Sequence, residues 1–350
     1  MGNLNQRQEK ILEILLEEKN LNINYLSKFF PEISQKTLSR DLNFLQEINF
    51  IEKNGKAKAT SYSLSSFYEL NKTINRDDYF SKETDERAIQ KAFVFSIFED
   101  LQKNSSKLLT QEEKKHIETL TKKFIENKSK LSTTIIKKEF ERLTIELAWK
   151  SSKIEGNTYS LLDTETLLKT GIKNPQHSEE DAQMLLNHKS TIEHILSDSE
   201  EYKQLNINNL IDLHSLLISK LAIDKHIRRR LVGITGTNYR PLDNEFQIKE
   251  ALEKTFDLVN NESEPFIKAI LVSALLAYIQ AFEDANKRLS RMTTNAILIA
   301  HNYCPLSYRS IDVNEYKKAV LLFYEQNNIK YLKELLINQY EFAVNNYFCI

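Results

Sequence analysis

The stretch IQAFEDANKRLSR, Ile279 to Arg291, sets charged and amide side chains between two apolar helical patterns at 265–282 and 286–301. Polar groups in a hydrophobic neighbourhood require partners, because an unpaired buried charge is costly. A helix that starts just after Ala285 turns its free backbone N–H groups and the positive end of its dipole into the preceding loop, which makes a ready anion site. Asn286, Lys287, Arg288 and Arg291 add donors around that point, and Asp284 supplies a hard oxygen ligand suited to Mg²⁺. The pattern points to a phosphate with its metal. The same spacing also fits a charged helix start on the surface, with Asp284 as cap and Lys287 and Arg291 in helix pairs, and spacing alone leaves both open.

Outward from this stretch, the sequence from Glu86 onward is helical in pattern at 86–104, 110–127, 133–155, 161–169, 180–196, 207–220, 247–260, 313–325 and 329–346. One island interrupts it, RRRLVGITGTNYRPLD at Arg228–Asp243, whose β-branched residues and two glycines predict a small β-hairpin or extended flap. Only 6 Gly and 5 Pro in 350 residues agree with a mostly helical chain, since tight turns and sheets consume both. The length predicts two domains. Charge is balanced, with 48 Lys and Arg against 49 Asp and Glu, which excludes a polybasic tail. Hydrophobic residues at 41% suffice for a core, which excludes general disorder. Cys304 and Cys349 form no CxxC pair, the start MGNLNQRQEK has no apolar leader, and no apolar run reaches a membrane span, so a cytoplasmic protein without a membrane partner is expected.

Residues 1–66 read as a separate domain. Ile11, Leu12, Ile14 and Leu15 form the stripe of a first helix, and Ile23, Leu26, Phe29 and Phe30 that of a second. A third opens at the N-cap Ser34 and turns Leu38, Leu42 and Leu45 inward, leaving Lys36, Thr37, Ser39 and Arg40 outward. FIEKNGKAKATSYSL then predicts strand, Asn54-Gly55 turn and strand, with Lys53, Lys56 and Lys58 around the tip. This order is that of a winged helix-turn-helix, and SQKTLSRDL with TSYSL resembles the DeoR type, which implies duplex DNA as partner. Nine basic against eight acidic side chains in these residues give it a weak electrostatic footprint. Residues 67–85 are polar without a period and are expected to be a linker, leaving 86–350 as the second domain.

The central stretch resembles the core signature of the Fic family, HxFx(D/E)(G/A)N(G/K)RxxR, with Phe282, Asp284, Ala285, Asn286, Lys287, Arg288 and Arg291 each in its slot. Two further motifs extend the likeness in the same order as in the family. SSKIEGNTYSL resembles its inhibitory motif (S/T)xxxE(G/N) through Ser151, Glu155 and Gly156, on a helix at about 133–156, and ITGTNYRPL resembles its target-docking flap through Ile234, Thr235, Gly236, Thr237, Asn238 and Tyr239. The resemblance implies a mostly α protein: a Fic-type helical bundle with a small β-hairpin flap behind the winged helix.

It also implies an activity, the transfer of AMP from ATP with Mg²⁺ to a Ser, Thr or Tyr hydroxyl of a protein substrate. Asp284 would hold the metal, while Phe282, Ala285, Asn286, Lys287 and Arg288 surround the nucleotide. Arg291 would take the γ-phosphate, and Glu155 would occupy Arg291 at rest. A homodimer is a further assembly that this reading allows. Two departures matter. Gln280 stands in the slot of the catalytic His, and an amide cannot accept the target's proton near neutral pH. DANKR also resembles the Doc branch, in which γ-phosphate transfer is the outcome. A nucleotide-sensing pseudoenzyme acting as a DNA-binding regulator and a Doc-like kinase are therefore the competing expectations.

Overall fold

A computed structural model describes residues 4–349, and its chain contacts divide into two units, Met1–Ile74 and Asn75–Ile350. In the first unit, α1 (Gln6–Glu18), α2 (Ile23–Leu26) and α3 (Gln35–Glu47) precede strands β1 (Ile51–Asn54) and β2 (Ser61–Leu64) and a short α4 (Ser66–Asn71). Asn5 and Gln8 form a capping box at the start of α1, and Ser34 caps α3 by accepting from the Thr37 amide at 3.2 Å. Ile11, Leu15, Leu26, Leu38, Leu42 and Leu45 make the core, as their spacing predicts. The Asp41 carboxylate ties α3 to α1, accepting from Gln8 Nε2 at 3.1 Å and from Arg7.

Three expectations change here. The second helix lasts one turn before a 3₁₀ turn at Ser27–Phe29, and Phe29 is exposed rather than on the core stripe. The strands pair antiparallel from Ile51↔Leu64 to Asn54↔Ser61, so Asn54 belongs to the ladder and residues 55–60 form the loop. Gly55, at φ +78, opens that loop where a Cβ would meet the Ala59 carbonyl at 2.4 Å. Residues 67–85 are no free linker: Phe67 and Tyr68 pack on the first core, while α5 (Arg76–Ser81) belongs to the second unit.

The second unit continues with α6 (Ser96–Asn104), α7 (Gln111–Lys130), α8 (Thr133–Ile154), α9 (Leu161–Thr170), α10 (Glu179–Ser197) and α11 (Ile207–Leu217). After the flap region follow α12 (Glu245–Asn261), α13 (Pro265–Ile279), α14 (Asn286–Ala300), α15 (Val313–Gln326) and α16 (Lys330–Asn346). Helix α13 is apolar on every face and buried from Phe266 to Ile279, which makes it the axis of the bundle. It packs against α12, α14, α15 and α16, while α8 and α10 pack on one another and on α14.

One boundary differs from the pattern-based reading. Residues 86–95 are not helical, because Lys91 and Phe93 spend backbone hydrogen bonds on Arg240. Of the two forms the pattern allowed, the flap takes the extended one: its backbone pairs through an isolated parallel bridge between Ala92 and Arg240, and Pro241 offers no amide with which to continue it. Among the described residues no helix is long and apolar enough to cross a membrane.

Candidate functional site

The loop 280–285 between α13 and α14 is held by unusual backbone at both ends. Gln280, at φ 52, ends α13, and Ala285, at φ 65, precedes α14; both lie in the left-handed region that favours glycine. Such strain persists only where the surroundings over-determine it, and it concentrates at functional sites. The surroundings are visible. Asn286 Nδ2 donates to the Phe282 carbonyl at 2.8 Å, while its Oδ1 accepts from the Phe282 amide at 2.9 Å, so this side chain braces the loop. His214, on α11, stacks on Phe282 with centroids 3.7 Å apart and donates from Nε2 to the Asp284 carbonyl at 3.1 Å. Burial lowers its pKa to about 4, which keeps the ring neutral. The sequence reading missed His214; a histidine at helical spacing with Leu210, Leu213 and Leu217 on one stripe of NLIDLHSLLI was the available signal.

No side chain caps α14, so its first-turn amides remain free to meet an anion beside Ala285, Asn286 and Lys287, which line a cleft of about 500 Å³. Asp284 is largely exposed at the rim, its Oδ1 accepting from the Ala285 amide and its Oδ2 from Arg288 Nη2 at 3.1 Å. Arg288 is buried behind the loop. No group of three or more His, Cys, Asp or Glu converges on a metal position among the described residues. One exposed carboxylate beside an anion site suits Mg²⁺ that arrives with phosphate oxygens, since that ion is commonly held by one or two carboxylates plus phosphates.

Across the cleft, α8 ends at the residues of the second motif. Arg291, fully buried, donates from Nη2 to Glu155 Oε1 at 2.8 Å, and Lys287 Nζ lies 3.3 Å from the other oxygen. Burial alone would raise the Glu155 carboxyl, but Arg291, Lys287 and Arg288 push it down to about 2. Ser151 orients the guanidinium, its Oγ accepting from Arg291 Nε at 2.9 Å and its carbonyl from Nη2 at 3.0 Å. The Ser151 hydroxyl in turn faces His188 Nε2 at 2.9 Å, and His188 Nδ1 donates to the Met184 carbonyl at 2.8 Å. Burial drives His188 to about 3, so the imidazole is neutral and accepts the Ser151 proton. Gly156, at φ +100, reverses the chain after Glu155.

The Gln280 side chain points inward. Its Nε2 donates to the Ala277 carbonyl at 2.6 Å and to the Tyr324 hydroxyl at 3.1 Å, while the backbone carbonyl of Gln280 accepts from Arg228 Nε at 2.5 Å. Ile234, Thr235 and Gly236 line the cleft opposite the loop. Thr237 and Asn238 lie beyond it, whereas Tyr239 is buried with its hydroxyl on the Tyr278 carbonyl at 2.9 Å and presents no docking face. In the first unit, Lys36, Arg40, Lys53 and Lys56 are exposed and Thr37 and Ser39 half-buried; the side chain of Lys58 is outside the described part.

Comparison with known proteins places names on this geometry. Residues 204–298 match the Fic/DOC family, and residues 7–59 match the DeoR-like helix-turn-helix domain. Protein adenylyltransferase fic-1 of Caenorhabditis elegans and its Caenorhabditis briggsae counterpart are each 23% identical over 159 residues. Those residues are 44% of this chain and 31% of each relative, so the match spans about a third of their length. Among solved structures, a fragment of Caenorhabditis elegans Fic-1 shares the fold with a TM-score of 0.57 at 17% identity, covering 72% of this chain and 79% of that one. A Fic domain containing signaling protein from Bacteroides thetaiotaomicron gives 0.57 at 19% identity, covering 66% and 94%. The chain thus joins a segment that matches the DeoR-like helix-turn-helix domain to one that matches the Fic/DOC family.

Proposed function

We propose that the second unit is a protein adenylyltransferase held at rest by Glu155 and attenuated by Gln280, and that the first unit binds duplex DNA. The observation that carries the reading is the closed ring of Glu155, Arg291 and Lys287 over an uncapped helix start. A carboxylate that holds two cations at an anion site competes with a triphosphate for them. When Glu155 withdraws, Arg291 and Lys287 become free for terminal phosphate oxygens, while the α14 amides meet the phosphates nearer the nucleoside. Asp284 would hold Mg²⁺, which supplies charge neutralisation on the phosphates. The acceptor is a Ser, Thr or Tyr hydroxyl of a protein brought to the flap, its oxygen attacks the α-phosphorus, and pyrophosphate leaves. Asn286 and His214 act by fixing the loop rather than by touching the nucleotide.

Gln280 supports a second reading. Its Nε2 hydrogens are spent on Ala277 and Tyr324, and it has no basic atom to receive the acceptor's proton. A Fic domain in that condition senses nucleotide for the DNA-binding unit. Incubation with α-labelled and γ-labelled ATP decides among the outcomes. α-Label on protein is the expected result once Glu155 is replaced by Gly. γ-Label alone identifies a kinase, and no label despite nucleotide binding identifies the sensor.

A further inference from the structure

Arg87 is buried and belongs to none of the motifs above. Its Nη1 donates to Oε2 of Glu325, a fully buried carboxylate on α15 that also accepts from the Tyr79 hydroxyl at 2.7 Å. Its Nη2 donates to Thr84 Oγ1 at 3.1 Å and to the Gly236 carbonyl, at the turn of the flap, at 2.7 Å. One planar guanidinium therefore spans the bundle and the flap, which the fork of Arg permits and a Lys head does not.

The neighbours of Arg87 repeat this arrangement. Asn238 Nδ2 donates to Asp85 Oδ1 at 2.6 Å, the Arg240 amide to the Lys91 carbonyl at 2.9 Å, and the Phe93 amide to the Arg240 carbonyl at 3.2 Å. The Gln90 amide in turn donates to the Glu325 carbonyl at 2.8 Å, which fastens the segment to α15. Because the flap has no ladder of its own, these contacts hold its outer side, while Val232 to Gly236 face the cleft with Glu155 and the phosphate loop.

We propose that residues 84–93 form a strap that positions the flap over the cleft, with Arg87 and Asp85 as the two positioning residues that reach it. The inference rests on the nucleotide reading only for what the flap covers. Hydrogen exchange on the full chain tests it, read by mass spectrometry over peptides spanning 231–243, where the Tyr239 and Arg240 amides are hydrogen-bonded.

Arg87→Met is expected to speed exchange there about tenfold, as loss of a charge-assisted hydrogen bond predicts, with α13 and α14 unchanged. Arg87→Lys, which keeps a cation beside Glu325, is expected to restore protection of α15 but not of the flap, a split that a purely structural role would not produce. Unchanged exchange across 231–243 in folded Arg87→Met overturns the proposal. Should Arg87→Met fail to fold, Asp85→Ala, at an exposed position, decides by the same criterion: a faster flap supports the strap and an unchanged one overturns it. Calorimetry with Mg-ATP in Glu155→Gly runs beside it. A chain that binds no ATP yet shows the faster flap refutes the nucleotide reading and leaves the strap standing.

Discussion

At the scale of single residues, the proposed activity turns on Gln280 and Glu155. Glu155 neutralises Arg291, which is fully buried, so its replacement leaves that charge for another anion to satisfy. Glu155→Gly is expected to raise Mg-ATP affinity about tenfold to a hundredfold, the range of charge-assisted contacts regained by the phosphate, as titration calorimetry would register. The same pair sets a pH dependence. The Glu155 carboxyl falls from an ordinary 4.5 to about 2 in the folded chain, so its contribution is complete above 4.5 and is lost as pH drops toward 2. The stability gap between the parent and Glu155→Gln is therefore expected to stay constant from pH 8 to about 5 and to close below it, in denaturant melts at stepped pH. Gln280→His in the Glu155→Gly background is expected to raise α-label transfer at least ~10²-fold, the lower end of what a positioned base supplies. Equal labelling of the two variants would show that the missing base was not the obstacle.

At the scale of elements, the helix start matters more than the helix. α3 carries its exposed cations, Lys36 and Arg40, in its first half, and β1 and the loop after it add Lys53 and Lys56. Four cations in a domain with nearly balanced charge predict weak, salt-sensitive DNA binding. Lys36→Ala with Arg40→Ala is expected to flatten the slope of log affinity against log salt by about two, since each phosphate contact contributes about 0.9. Fluorescence anisotropy on duplex DNA at several salt concentrations measures it, and an unaltered slope would remove α3 from the interface. The elements also show where pattern reading fails. Phe29 shares the spacing of Leu26 yet is exposed, because a 3₁₀ turn rotates it off the stripe. Residues 86–95 carry a helical spacing, but Lys91 and Phe93 hydrogen-bond Arg240 and Gln90 hydrogen-bonds Glu325 across the fold, a demand that local propensity does not contain.

For the whole molecule, the division after Ile74 puts the helix-turn-helix match and the Fic/DOC match in separate units. Every residue of the Glu155 ring, the phosphate loop and the strap lies in Asn75–Ile350. A chain beginning at Asn75 and carrying Glu155→Gly is therefore expected to bind Mg-ATP as the full-length Glu155→Gly chain does, by calorimetry. A marked loss of affinity on truncation would make the first unit part of the nucleotide site.

Much of the site was legible in one dimension. An uncapped helix start, Asp284, Lys287 and Arg291 lie within one or two turns of chain, and local geometry alone brings them together; α13, apolar on every face, could only be a buried axis. The partners that hold these residues are distant in sequence, and no periodicity connects them. Glu155 reaches Arg291 from α8, His214 reaches the Asp284 carbonyl from α11, and Arg87 reaches the flap from a segment without regular structure. The roles of Asn286 and Tyr239 likewise depended on which way each side chain turned, since the loop and the core claimed polar groups that the motif alone had assigned to a ligand. The sequence by itself determined which groups could bind phosphate, because that capacity is set by residue type and local backbone. Only the tertiary structure decided which of them are free to do so, because each buried donor must be satisfied by whatever acceptor the packed chain brings within reach.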